Sequence, residues 1–134
     1  MAMFMLIVTL FGSVCFARWS YLVSCSRSFD IVDVGSIITK KGLRCYGRAS
    51  TTPASDAAVT VYLQYEDEDG DWINYTAWTD DDENSCLASV CEDIVVDAGK
   101  YQLYVEYKAY EVGDHSVLLE KHTGYSDIID FPGN

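Results

Sequence analysis

Two stretches of strict alternation do most to limit what this chain can fold into. In Val59-Thr60-Val61-Tyr62-Leu63-Gln64-Tyr65, the residues Val59, Val61, Leu63 and Tyr65 fall on one face and Thr60, Tyr62 and Gln64 on the other. Over 101–110 the same period places Tyr101, Leu103, Val105, Tyr107 and Ala109 opposite Gln102, Tyr104, Glu106, Lys108 and Tyr110. Side chains that change face at every residue follow the repeat of an extended strand, and apolar residues confined to one face predict a strand half buried in a core.

Turn chemistry divides the rest of the chain into similar lengths. Asp67-Glu68-Asp69-Gly70-Asp71 ends in the Asp-Gly pattern of a tight hairpin, where glycine accepts the positive φ that the turn demands. The return strand, 72–79, is rich in aromatic and β-branched residues and runs into the acidic turn Asp80-Asp81-Asp82-Glu83-Asn84. Weaker strands are expected over 36–39, 43–49, 86–96, 116–122 and 127–131, separated by Gly42, Pro53, Gly99, Gly113 and Gly124. After the first seventeen residues no segment sustains a helical repeat. The expected fold is all-β, an immunoglobulin-like antiparallel β-sandwich of about seven strands over 36–134, preceded by an N-terminal signal helix and an 18–35 linker.

The sequence Asp97-Ala98-Gly99-Lys100-Tyr101 sharpens this expectation. Asp-x-Gly-x-Tyr at the opening of a strand resembles the tyrosine corner of immunoglobulin-like sandwiches, in which the buried ring bonds its hydroxyl back to upstream backbone. In antibody domains a cysteine follows two residues later. Here that position is Leu103, so the inter-sheet disulfide with Cys45 cannot form, and the likeness is to the architecture alone.

The order of elements from Leu43 onward also resembles a family of small secreted proteins from Gram-positive, largely clostridial, bacteria. The features that carry it are Val59-Thr60-Val61-Tyr62-Leu63-Gln64, Trp72 and Trp78 after a short hairpin, Gly99-Lys100-Tyr101, and a closing Gly113, Glu120 and Ile128. The resemblance covers roughly residues 36–131 and implies a single all-β domain behind a signal peptide. It implies no activity and no functional residues, and the dense acidic loops and extra cysteines depart from the Ser/Thr-rich members.

Residues 1–17 carry no charge, and their apolar run ends in small and polar residues, with Cys15 and Ala17 at the −3 and −1 positions of a cut before Arg18. That is a secretory signal pattern lacking its usual basic start, and it predicts a secreted protein with no membrane span once the signal is removed. Leu22-Val23-Ser24-Cys25 offers the alternative of lipid anchoring through Cys25. Removal of Cys15 leaves four cysteines, an even number that suits disulfides in an exported chain, with Cys86–Cys91 and Cys25–Cys45 the expected pairs. A zinc site is disfavoured because Cys25 and Cys45 form no second short knuckle.

The net charge of −12 is unevenly distributed: 66–134 holds 18 acidic and 3 basic side chains, a balance of 3 − 18 = −15. That excess disfavours nucleic acid and anionic membrane surfaces as partners, so none of either kind is expected, and suits cations or a basic protein. Catalytic signatures are missing. Only His115 and His122 could act as neutral-pH bases, both are expected at the surface, and no nucleophile elbow or phosphate-binding glycine loop accompanies them. Carboxylates are plentiful, but they lie in turns where nothing would raise a pKa.

Two features remain as candidate sites. Tyr62, Tyr104 and Tyr110 lie on the polar face of their strands, where exposed rings can stack on a sugar or anchor a protein. Asp67, Asp69 and Asp71 have the residue types of a calcium loop, yet Gly70 comes two positions early and no closing glutamate follows. The two acidic turns flank one strand and should lie at opposite ends of the sheet. The sequence therefore predicts a non-enzymatic domain that binds a protein or carbohydrate outside the cell, without cofactor unless Ca2+ occupies the aspartate turn. A secreted effector of antimicrobial type is the alternative.

Overall fold

The computed structural model describes residues 28–134 and the backbone of 16–22. The described residues form nine strands: β1 (Phe16–Leu22), β2 (Phe29–Ile38), β3 (Gly42–Thr51), β4 (Ser55–Glu66), β5 (Trp72–Asp80), β6 (Leu87–Val95), β7 (Gly99–Glu111), β8 (Asp114–Tyr125) and β9 (Ile129–Phe131). They make two antiparallel sheets, ordered β1-β2-β3-β6 and β5-β4-β7-β8, with β9 pairing the start of β7. The chain crosses between sheets after β3, β5 and β6, so that β6 lies beside β3 and β7 beside β4. This is the interleaving of an immunoglobulin-like sandwich.

The alternating segments form its centre. Val59, Val61 and Leu63 of β4 face Leu103, Val105 and Tyr107 of β7, all essentially without solvent contact. The opposite sheet contributes Val32, Val34, Leu43, Cys45 and Ala49. Gly47 lies in the same inward row: a Cβ there would come within 2.6 Å of a Val61 methyl, so the bare backbone allows the sheets to approach closely.

Tyr101 closes one end of the sandwich. Its hydroxyl donates to the carbonyl of Asp97 at 2.7 Å while its ring is 7% exposed, as the corner motif predicts.

Two expectations change. The expected 18–35 linker instead overlaps most of β1 and of β2, and the sandwich begins before residue 36. β2 escapes the period-two test because Val32, Asp33, Val34 and Ser36 are all buried, and a strand covered on both faces does not alternate. The expected signal helix lies mostly outside the described residues; its last two, Phe16 and Ala17, belong to β1, so the expected cut before Arg18 falls within that strand. No helix among the described residues is long and apolar enough to cross a membrane.

Candidate functional site: a tyrosine row on the outer face

The outward face of the five-stranded sheet carries the aromatic feature. Tyr62 on β4 is the register partner of Tyr104 on β7, which is in turn the partner of Tyr125 on β8. The rings stand side by side across three strands, with centroids 5.5 and 5.0 Å apart and planes tilted by 32° and 38°. Such spacing gives favourable offset ring contacts. Tyr62 and Tyr104 are half-buried by this packing, whereas Tyr125 is 55% exposed at the end of the row.

Polar side chains border the row. Gln102 donates from Nε2 to Gln64 Oε1, and Gln64 Nε2 to Asn74 Oδ1, both at 2.8 Å. Thr60 and Thr79 share a 2.9 Å hydroxyl contact. Beyond Tyr104, Glu106 lies 3.9 Å from Lys108 and 3.7 Å from Lys121. Burial, then the negative charge of Glu106, pushes the Tyr104 phenol above its ordinary range, so it stays protonated and able to donate.

Tyr110 does not join the row. It lies six residues beyond Tyr104 on β7, roughly 20 Å at the rise of a strand, and its ring stacks on His115 at 4.5 Å. Tyr125 takes the third place. It follows Gly124 at the end of an irregularly patterned segment, and only the pairing of β8 with β7 reveals it.

His115 is also not a surface residue. Its side chain is 17% exposed and its Nε2 lies 3.1 Å from Oδ2 of Asp56, which is 1% exposed. The same oxygen accepts the backbone N–H groups of Asn84 at 2.8 Å and Gly113 at 2.9 Å. Asn84 and Gly113 both adopt left-handed backbone, φ 58° and 73°, which Asn and Gly tolerate best. Burial alone would raise the Asp56 pKa, but the bonds from Gly113, Asn84 and His115 outweigh it and hold the carboxyl below its ordinary value. The cluster ties the start of β4, the β5–β6 connection and the β7–β8 turn together. His122 is half-buried too, 3.2 Å from Glu120 and edge-on to Phe29.

The acidic turns occupy opposite ends of β5, as expected. In the first, Asp67, Asp69 and Asp71 bring carboxylate oxygens within 4.8 Å of one another. Asp67 Oδ1 accepts the N–H groups of Asp69 and Asp71 at 2.9 and 2.8 Å, so the turn's own bonding accounts for the cluster. In the second, Asp80 accepts the N–H of Ser89.

The expected Cys86–Cys91 pair does not form. Cys86 and Cys91 are exposed free thiols separated by five residues along the β6 line, about 16 Å in extended chain and far beyond disulfide reach. Cys45 is a buried free thiol pointing into the sandwich; Cys25 lies outside the described residues. Burial pushes the Cys45 pKa up to about 12.

No protein-family model matches the chain, and no curated protein or solved structure does so either.

Proposed function

We propose that this protein is a non-enzymatic binding domain that works outside the cell and recognises a protein partner through the outer face of its five-stranded sheet. The observation that carries this reading is the row Tyr62–Tyr104–Tyr125, in register across three strands of a solvent-facing sheet. Tyrosine contributes large, rigid contact area with a polar tip, the combination enriched at protein interfaces. The rings are tilted by 32° and 38° against one another and so form no single flat platform, which favours a protein surface over the flat face of a sugar. The glutamine ladder and the Glu106–lysine pairs supply a polar rim. The uncharged N-terminal run supports work outside the cell.

The test is saturable binding of the purified domain to intact cells, of its own source and of neighbouring species, compared with Tyr125→Ala and Tyr104→Ala variants of unchanged circular dichroism. Protease-sensitive binding that both variants lose supports the reading. Binding that survives protease treatment but is displaced by free glycans, or binding indifferent to both substitutions, overturns it.

A further inference from the structure

A second aromatic feature lies away from that face, at the end of the sandwich beside the tyrosine corner. The β4–β5 ladder pairs Leu63 with Thr76 but Gln64 with Asn74, leaving Tyr75 as an extra residue on β5. A bulge of this kind redirects the side chain it carries. The Tyr75 ring meets Tyr65 edge-on, at 6.2 Å and 86°. Tyr65 is the inward-facing register partner of Tyr101, and Tyr101 is held by its bond to the Asp97 carbonyl. Between them opens a cavity of about 310 Å³ lined by Tyr65, Tyr75, Tyr101, Val96, Asp97 and Ala98.

The chemistry of this lining is one-sided. It has three phenol rings, a carboxylate and two small apolar side chains, and no cationic side chain. Lys100, next to Tyr101, is exposed and alternation places it on the other face of β7. The negative faces of aromatic rings attract ammonium groups, and a carboxylate beside them adds Coulombic attraction. Val96 and Ala98 suit the methyl or methylene groups attached to such a nitrogen. The volume is at the small end for ligand pockets, enough for a side-chain tip or small molecule rather than a polymer. A site in a domain of net charge −12 also attracts cations from a distance.

We infer that the Tyr65–Tyr75–Tyr101 pocket binds an organic ammonium group, with Asp97 as its counter-charge. The group can belong to a free quaternary amine or to a lysine side chain, and the two are separable by experiment. The full chain is titrated with choline, with Nα-acetyl-lysine amide, and with 3,3-dimethylbutan-1-ol, the uncharged isostere of choline, while the tyrosine ring resonances are followed by NMR.

Saturable shifts of Tyr65, Tyr75 and Tyr101 with a cation, and not with the isostere, are expected; whichever cation binds more tightly identifies the source. Tyr75→Ala, at a 56% exposed ring, should weaken binding roughly fivefold. Asp97→Asn keeps the backbone carbonyl that anchors Tyr101 and should flatten the salt dependence. Val112→Ala, in the β7–β8 turn at the far end of β7, should leave the ammonium binding unchanged. Absence of saturation with both cations, equal binding of the isostere, or indifference to Tyr75→Ala overturns the inference.

Discussion

At Asp56 a single carboxylate decides whether three parts of the chain stay together. Replacing it with alanine removes the shared acceptor of the Asn84 and Gly113 N–H groups and of His115, and should cost about 1–3 kcal/mol in urea unfolding. The pH dependence has a definite sign. The folded carboxyl ionises below the value of an unfolded aspartate, about 3.9, so its contribution is fully present above that value and is lost as pH falls through the lower folded pKa. The difference in stability between wild type and Asp56→Ala should therefore narrow below about pH 4.

Cysteine chemistry gives a second test at this scale. With its thiol buried and its pKa raised to about 12, Cys45 should escape iodoacetamide in the native protein while exposed Cys86 and Cys91 are alkylated. Peptide mass analysis before and after denaturation reads this directly; native labelling of Cys45 would show that the sheets open.

At the scale of elements, the inward Gly47 of β3 sets the distance between sheets. Gly47→Ala puts a methyl within 2.6 Å of a Val61 methyl, so that Val61 or β3 must shift, and should destabilise by about 1–3 kcal/mol. Thermal unfolding of the variant is the check, and an unchanged midpoint would mean that β3 shifts freely. β8 is the other sensitive element. It forms an edge of its sheet and exposes Val117, Leu118 and Leu119 at 38%, 50% and 50%. Its ladder to β7 slips beside these residues, between Ala109 and Glu111, which makes that stretch an irregular template for another strand. Leu118→Lys should leave the unfolding midpoint unchanged and lower self-association in sedimentation velocity at high concentration.

For the whole molecule, charge is the dominant variable. Eighteen acidic side chains against three basic ones in 66–134 repel one another in the compact state. Raising ionic strength from about 0.01 M to 0.15 M shortens the screening length from roughly 30 to 8 Å and should raise the melting temperature at neutral pH. A melting temperature indifferent to salt would mean that the ion pairs of Arg44 with Asp93 and of Glu106 with its lysines already balance the repulsion.

Alternation made β4 and β7 legible in the sequence, because each keeps one face in the core, and the turns at its two ends with its aromatic and β-branched residues made β5 legible. The Asp-x-Gly-x-Tyr corner was legible for a related reason: it is a local device whose donor and acceptor lie four residues apart. The acidic turns at opposite ends of β5 followed from strand length. What remained hidden depends on contacts distant in sequence. β2 is covered on both faces, so its pattern carries no period. Tyr125 joins Tyr62 and Tyr104 only through the register of three strands, and His115 finds Asp56 across 59 residues. Tyr75 turns toward Tyr65 because one extra residue interrupts a ladder. Local periodicity reports which face of a strand is buried; which residues meet across strands is decided by pairing and register, and those exist only in the folded chain.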